Sequence, residues 1–189
     1  AKTPDVSRFT DLDSVDWAKA SISELAKRGI VNGKTETGFE PNAGVTREEL
    51  IKMLLVGFSI GIEEVDSGFA DLDKNAWYYQ YVATAQKLGI TNGKGEGVFG
   101  VGEPLSREEV ATFVYRTALN KNIIFDMTDT GSFTDQQLIS DYAKDAVKAM
   151  QKSNIISGMD DNRFVPNGLC TRAQAAKIIY EVLKFGGMI

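Results

Sequence analysis

Three stretches of this 189-residue sequence open alike, as Phe9-Thr10-Asp11, Phe69-Ala70-Asp71 and Phe133-Thr134-Asp135, set 60 and then 64 residues apart. The first two are followed by Gly29-Ile30-Val31-Asn32-Gly33 and Gly89-Ile90-Thr91-Asn92-Gly93. The third is followed by Asn154-Ile155-Ile156-Ser157-Gly158, offset by one residue inserted before Tyr142. Phe39, Phe99 and Phe164 and then Arg47, Arg107 and Arg172 recur at matching positions without a gap. Self-similarity of this kind constrains the fold more than any other feature. Each copy is one small unit that cannot bury its own apolar face and must pack on its neighbours. The copies divide the chain at 1–60, 61–124 and 125–189, with linkers at 59–68 and 119–132.

Within each copy the pattern reads helix, loop, helix. Apolar residues at helical spacing mark the first helix: Ala18, Ile22 and Leu25; Tyr78, Val82 and Ala85; Ala143, Val147 and Met150. Gly29, Gly89 and Asn154 end it, since glycine and asparagine enter the left-handed region at least cost. The second helix opens with Thr46-Arg47-Glu48-Glu49, Ser106-Arg107-Glu108-Glu109 and Thr171-Arg172-Ala173-Gln174, each a capping box. Val45 with Leu50, Leu105 with Val110, and Cys170 with Ala175 supply the hydrophobic staple. The expected fold is all-α, three helix-loop-helix repeats in a pseudo-threefold bundle with grooves between its prongs. Spacing alone leaves open whether the bundle closes or stacks linearly.

Composition removes several functions. The chain has no histidine and one cysteine, Cys170. The commonest general base and metal ligand are therefore missing, and no intrachain disulfide or cysteine zinc site can form. The net charge of −5 disfavours nucleic acid and anionic lipid, so a polyanion would need local basic sites. No run of apolar residues is long enough to span a bilayer. Asp71-Leu72-Asp73-Lys74-Asn75 starts like a calcium loop but has Ala76 where glycine and Val82 where glutamate are needed; its aspartates are expected to cap the first helix. No metal, cofactor or membrane partner is expected. The chain starts at Ala1 without a visible leader and is read as a mature or excised fragment.

Phe9, Asp11, Trp17, Gly29, Gly33, Phe39, Pro41 and Thr46-Arg47-Glu48-Glu49 together resemble the S-layer homology family. The second copy departs at Val101, where the motif has proline, and the third at Tyr142 and Asn154. The resemblance covers nearly the whole chain. It implies a three-pronged helical domain that binds a secondary cell wall polysaccharide, often through a pyruvate ketal on N-acetylmannosamine. It also implies an exported parent protein, whose remainder the module would hold on a Gram-positive-type cell surface. The third copy, with most departures, is expected to have the weakest groove.

Candidate ligand residues follow from charge and shape. Arg47, Arg107 and Arg172 stand at the first turn of a helix, against its dipole. One reading is that an anion joins them there, meeting free backbone N–H groups and a guanidinium fork; the other is that each offsets a carboxylate within the bundle. Under the first, alanine weakens binding and leaves stability nearly unchanged. Asn32, Gly33, Lys34, Asn92, Gly93, Lys94, Ser157 and Gly158 form turns where glycine admits a ligand to the backbone and the lysines add charge. Trp17, Trp77 and Tyr142 fit either sugar stacking or the core. Phe39, Phe99 and Phe164 are expected in the core, and Cys170 as a small buried hydrophobe. No catalytic residue is expected, because Glu48 and Glu49 are replaced by Ala173 and Gln174 in the third copy. The alternative function is a helical protein-interaction module on the cell surface.

Overall fold

The structure, a computed structural model, describes residues 8–128 and 131–189. Six α-helices carry it: α1 (Asp16–Lys27), α2 (Arg47–Gly57), α3 (Tyr79–Lys87), α4 (Arg107–Asn120), α5 (Lys144–Lys152) and α6 (Arg172–Phe185). The described residues contain isolated β-bridges but no strand, so the fold is all-α. No helix among them is long and apolar enough to cross a membrane.

The copies close on one another through backbone hydrogen bonds. Val45 N–H donates to the Cys170 carbonyl (3.1 Å), Cys170 N–H to the Leu105 carbonyl (3.0 Å), and Leu105 N–H to the Val45 carbonyl (3.0 Å). The three residues are fully buried. This ring of three bonds places one residue of each copy around a pseudo-threefold axis and decides between closure and linear stacking. The arginine amides two residues on close a second ring in the opposite sense: Arg47 N–H donates to Glu103 (3.1 Å), Arg107 to Gly168 (2.9 Å) and Arg172 to Ala43 (2.8 Å). The first-turn amides that a helix cannot satisfy itself are thus satisfied by loop carbonyls of another copy.

The central helices α2, α4 and α6 pack on one another around the axis. The outer helices do not pair within their own copies. α3 lies on α2, α5 on α4, and α1 on α6, so each prong joins the second helix of one copy to the first helix of the next. The apolar stripe explains the exchange. Leu50, Leu54, Val114, Ile179 and Leu183 are fully buried, covered on one side by the central trio and on the other by a foreign helix.

Local signals read from the sequence are present. All three capping boxes form. Gly29, Gly89 and Asn154 take φ of +70°, +69° and +55°. Ile30, Ile90 and Ile155 then donate back to Leu25, Ala85 and Met150, each at 2.9 Å. The starts of the first helices differ from expectation: Tyr78 and Ala143 sit as N-caps ahead of α3 and α5.

The aspartate of each opening motif does not cap a helix. Asp11 accepts from the amides of Phe39 (3.0 Å) and Glu40 (2.7 Å), Asp71 from Phe99 and Gly100 (both 2.8 Å), and Asp135 from Phe164 (2.7 Å) and Val165 (2.8 Å). Asp73 holds only the local Asn75 amide (2.9 Å). Each opening Asp therefore ties its strand-like entry to a loop nearly thirty residues on, while the phenylalanines of both ends pack at 5.3–5.6 Å between ring centres.

Two outcomes follow. A fragment spanning 1–60 carries α1 and α2 without their partners α6 and α3, and is expected to show no cooperative thermal transition by circular dichroism, whereas the full chain melts as one unit. The second concerns acid. Burial works to raise the Asp11, Asp71 and Asp135 pKa values, but the amide donors outweigh it and hold all three below the ordinary carboxylate range. Their stabilisation is therefore complete above that range and is lost as pH falls through the lowered values. Asp71→Asn is expected to flatten the fall of stability measured by denaturation from about pH 6 to about pH 3.

Candidate functional site

The rotation of the copies makes two of the clefts from all three of them. In one, Asn32 and Gly33 of the first copy face Trp77 of the second and Arg172 of the third, with Glu49 and Lys52 on the α2 wall. Its volume is about 170 Å³. In another, Ser157 and Gly158 of the third copy face Trp17 of the first and Arg107 of the second, with Gln174 and Lys177 on the α6 wall. That cleft is larger, about 400 Å³. A cleft of about 420 Å³ beside α5, lined by Phe133, Ile139 and Val147, holds none of the repeat arginines.

The aromatics are at the surface and not in the core: Trp17, Trp77 and Tyr142 are 54%, 56% and 52% exposed. Phe39, Phe99 and Phe164 and Cys170 are fully buried. Burial pushes the Cys170 thiol up to about 12 despite the nearby Arg107 charge, which leaves it protonated and unreactive.

The arginines are buried, and their surroundings differ. Arg172 is 1% exposed. Its Nε donates to the Phe39 carbonyl (2.9 Å), one terminal nitrogen to the Asn32 carbonyl (2.8 Å), and the other lies 3.0 Å from Glu49 Oε2. Its guanidinium also lies 4.6 Å from the Phe39 ring centre. Arg107 Nε donates to the Phe164 carbonyl (2.7 Å) and its guanidinium covers the Phe164 ring at 5.1 Å. Among the described residues its terminal nitrogens have no hydrogen-bond partner and no ion pair. Burial lowers the Arg107 pKa, outweighing the influence of Cys170 and Asp135. Arg47 pairs with Glu109 at 2.6 Å and lies between Phe99 (5.3 Å) and Phe113 (5.2 Å), with its Nε unsatisfied.

These contacts correct two expectations. The helix N-termini are not free anion sites, since another copy's carbonyls take the Arg47, Arg107 and Arg172 amides. The arginines are also tied into the bundle by bonds whose loss is expected to lower stability, against the nearly unchanged stability first expected. Loop carbonyls and aromatic faces offset the unfavourable helix dipole, and they leave each cation bonded across a copy boundary.

The turns divide as well. A Cβ at Gly33 would stand 2.7 Å from the Phe9 ring, one at Gly93 2.5 Å from the Phe69 ring, and one at Gly158 2.6 Å from Asn162 Oδ1. Packing against their own copy is by itself enough to require these glycines. Lys34 is paired with Glu49 and Lys94 with Glu103. With burial working upward but Lys34 and Arg172 outweighing it, Glu49 is held below the ordinary carboxylate range. Around the second-copy turn of Asn92, Gly93 and Lys94, Arg47 is held by Glu109, and Tyr142 Oη donates to Glu108 Oε1 at 3.0 Å. Burial and Glu108 push the Tyr142 pKa upward.

Residues that the sequence reading passed over line both clefts. Lys52 and Lys177 stand at the same repeat position, five residues beyond Arg47 and Arg172, where the second copy has Thr112. Comparing copies along the second helix would have found them. Burial lowers the Lys52 pKa, with Glu49 only partly offsetting it. Lys177 pairs with Glu181 at 2.6 Å.

A family model described as the S-layer homology domain matches residues 8–51, 68–111 and 132–176. Over 93% of its length the chain is 37% identical to Exoglucanase XynX of Acetivibrio thermocellus, of which it covers 16%. It is 36% identical to Amylopullulanase of Thermoanaerobacterium thermosulfurigenes over 96% of its length and 10% of that protein. To S-layer protein sap of Bacillus anthracis it is 26% identical, over 93% of its length and 21% of that protein. The chain thus spans less than a quarter of each of these relatives.

Arg172→Ala is expected to lower stability by about 2 kcal/mol, because it removes a charge-assisted bond to the part-buried Glu49 as well as bonds to two loops. Arg107→Ala, which breaks no ion pair among the described residues, is expected to cost less; chemical denaturation of both variants measures the order.

Proposed function

This chain belongs to the S-layer homology family, and we propose that it is a non-catalytic anchor holding an exported protein on the bacterial cell wall. It does so by binding an anionic secondary wall polysaccharide in clefts shared between copies. The observation that carries this reading is the repeated pairing of a buried arginine with a half-exposed tryptophan, Arg172 with Trp77 and Arg107 with Trp17. A guanidinium held in place by backbone carbonyls is a fixed fork for a carboxylate. An exposed indole offers a flat apolar face to a sugar ring. A pyruvate ketal suits both, since it puts a carboxylate and a methyl group on one sugar.

The relatives support attachment over catalysis. Proteins named as an exoglucanase, an amylopullulanase and an S-layer protein carry a segment similar to this chain as a small share of their length, and no single reaction is named for all three. What such different proteins can share through it is a location. The module is accordingly extracellular, on the wall of a Gram-positive-type bacterium, with the remainder of a parent surface protein as its covalent partner. The two lysines of the clefts, Lys52 and Lys177, add positive charge to a chain whose net charge is −5, which lets a polyanion approach locally against the bulk field.

Calorimetric titration with purified, protein-free wall polymer tests this. Saturable binding is expected, weakened at least about tenfold once the acidic substituents are removed, the loss of one charge-assisted contact. Equal binding to the neutral polymer would remove the anionic part of the proposal. No binding to polymer at all would favour a protein partner on the cell surface.

A further inference from the structure

We infer that the clefts are ranked by an internal carboxylate, and that the third-copy cleft, with Gln174 in place of glutamate, is the principal site for an anionic sugar. This rests on the proposed function and deepens it. The residue at N3 of each central helix serves two neighbours. Its first role is the capping box: Glu49 accepts from the Thr46 amide (3.2 Å), Glu109 from Ser106 (2.9 Å) and Gln174 from Thr171 (3.0 Å). Its second role is an ion pair, made by Glu49 through the same Oε2 that takes the cap and by Glu109 through its other oxygen. In the first two copies that role goes to an arginine arriving from another copy, with Glu49 pairing with Arg172 at 3.0 Å and Glu109 with Arg47 at 2.6 Å.

A ligand carboxylate at either of those arginines meets a guanidinium already neutralised by a carboxylate. It must share the cation or displace its partner. Gln174 keeps the cap but brings no charge, and Arg107 is left with both terminal nitrogens unpartnered among the described residues. Arg107 is only 7% exposed, so its fork is held at the base of the cleft instead of waving in solvent. Glu181, the acidic residue lining this cleft, is engaged by Lys177 at 2.6 Å. The Trp17 cleft is also the roomier, about 400 Å³ against about 170 Å³ beside Trp77. The feature that marks the third copy as divergent in sequence thus frees the one arginine fork that a ligand can take unopposed.

The chain contains two tryptophans, one in each cleft, so each site has its own reporter. Trp77→Phe leaves Trp17 to report the third-copy cleft, and Trp17→Phe leaves Trp77 to report the first-copy cleft. The probe is the methyl glycoside of 4,6-pyruvylated N-acetylmannosamine, titrated by fluorescence and by calorimetry on the full chain. The Trp17 reporter is expected to saturate at about tenfold lower sugar than Trp77, the effect of one uncontested charge-assisted contact. Gln174→Glu is expected to erase that advantage, and Glu49→Gln to tighten the Trp77 site. Both substitutions copy a residue already capping another of the three helices, so both variants are expected to fold.

Equal affinity at the two reporters, or either swap leaving its own reporter unchanged, overturns the ranking and leaves the anchoring function standing. Heat of binding with both reporters silent places the sugar outside these clefts and overturns the ranking as well. Neither heat nor fluorescence change, with polymer also unbound, overturns the proposed function itself.

Discussion

The structure depends on three backbone hydrogen bonds among Val45, Leu105 and Cys170 at the pseudo-threefold axis. Each residue donates to one copy and accepts from the other, so withdrawing any one copy breaks two of the three bonds. A buried amide or carbonyl without a partner costs on the order of 1–3 kcal/mol, and withdrawal would strand such groups on both remaining copies. Side chains at these positions only need to be apolar and small enough for three to meet, which is why valine, leucine and cysteine serve alike. The ring also fixes where the central helices begin. It points the first residue of each, an arginine, away from its own copy and across a boundary.

That direction gives the arginines two roles. Arg172 and Arg107 are bonded to the Phe39 and Phe164 carbonyls, so each cation fastens the loop of one copy to the helix of another. Burial of a guanidinium is costly unless its donors are satisfied. The remaining donors then decide what the cleft can do. Where a carboxylate from the capping box satisfies them, the site is closed electrostatically. Where glutamine stands, the donors face the cleft and a ligand can complete the set. Under the proposed function, stability and recognition compete for the same nitrogen atoms, and one uncharged side chain shifts the balance.

The opening motif explains how the clefts keep their shape. Asp11, Asp71 and Asp135 bind the amides that follow Phe39, Phe99 and Phe164, while the phenylalanine two residues ahead of each stacks on the same loop. Those loops carry the carbonyls that hold Arg172 and Arg107. A chain of contacts therefore runs from the start of a copy, through its loop, to the cation of another copy. The second copy lacks the proline of its counterparts, having Val101, and the Arg47 that reaches its loop has an unsatisfied Nε.

Much of this was legible without coordinates because it is local. Capping boxes, the Gly29, Gly89 and Asn154 turns, and the buried phenylalanines each depend on residues close in sequence, where propensity and periodicity act directly. The repeat itself showed that the copies must pack together. Sequence could not decide that α1 pairs with α6 or that Trp17 shares a cleft with Arg107, because those contacts join residues far apart whose pairing is set by ring closure. The same limit hid the partners of the arginines. A cation at a helix start reads as an open anion site until the neighbouring copy is in place and its carbonyls have filled the first turn. Sequence determined which helices form and that they repeat. Tertiary structure decided which copies build each cleft and which arginine is left free, since both are properties of the closed ring and of no single repeat.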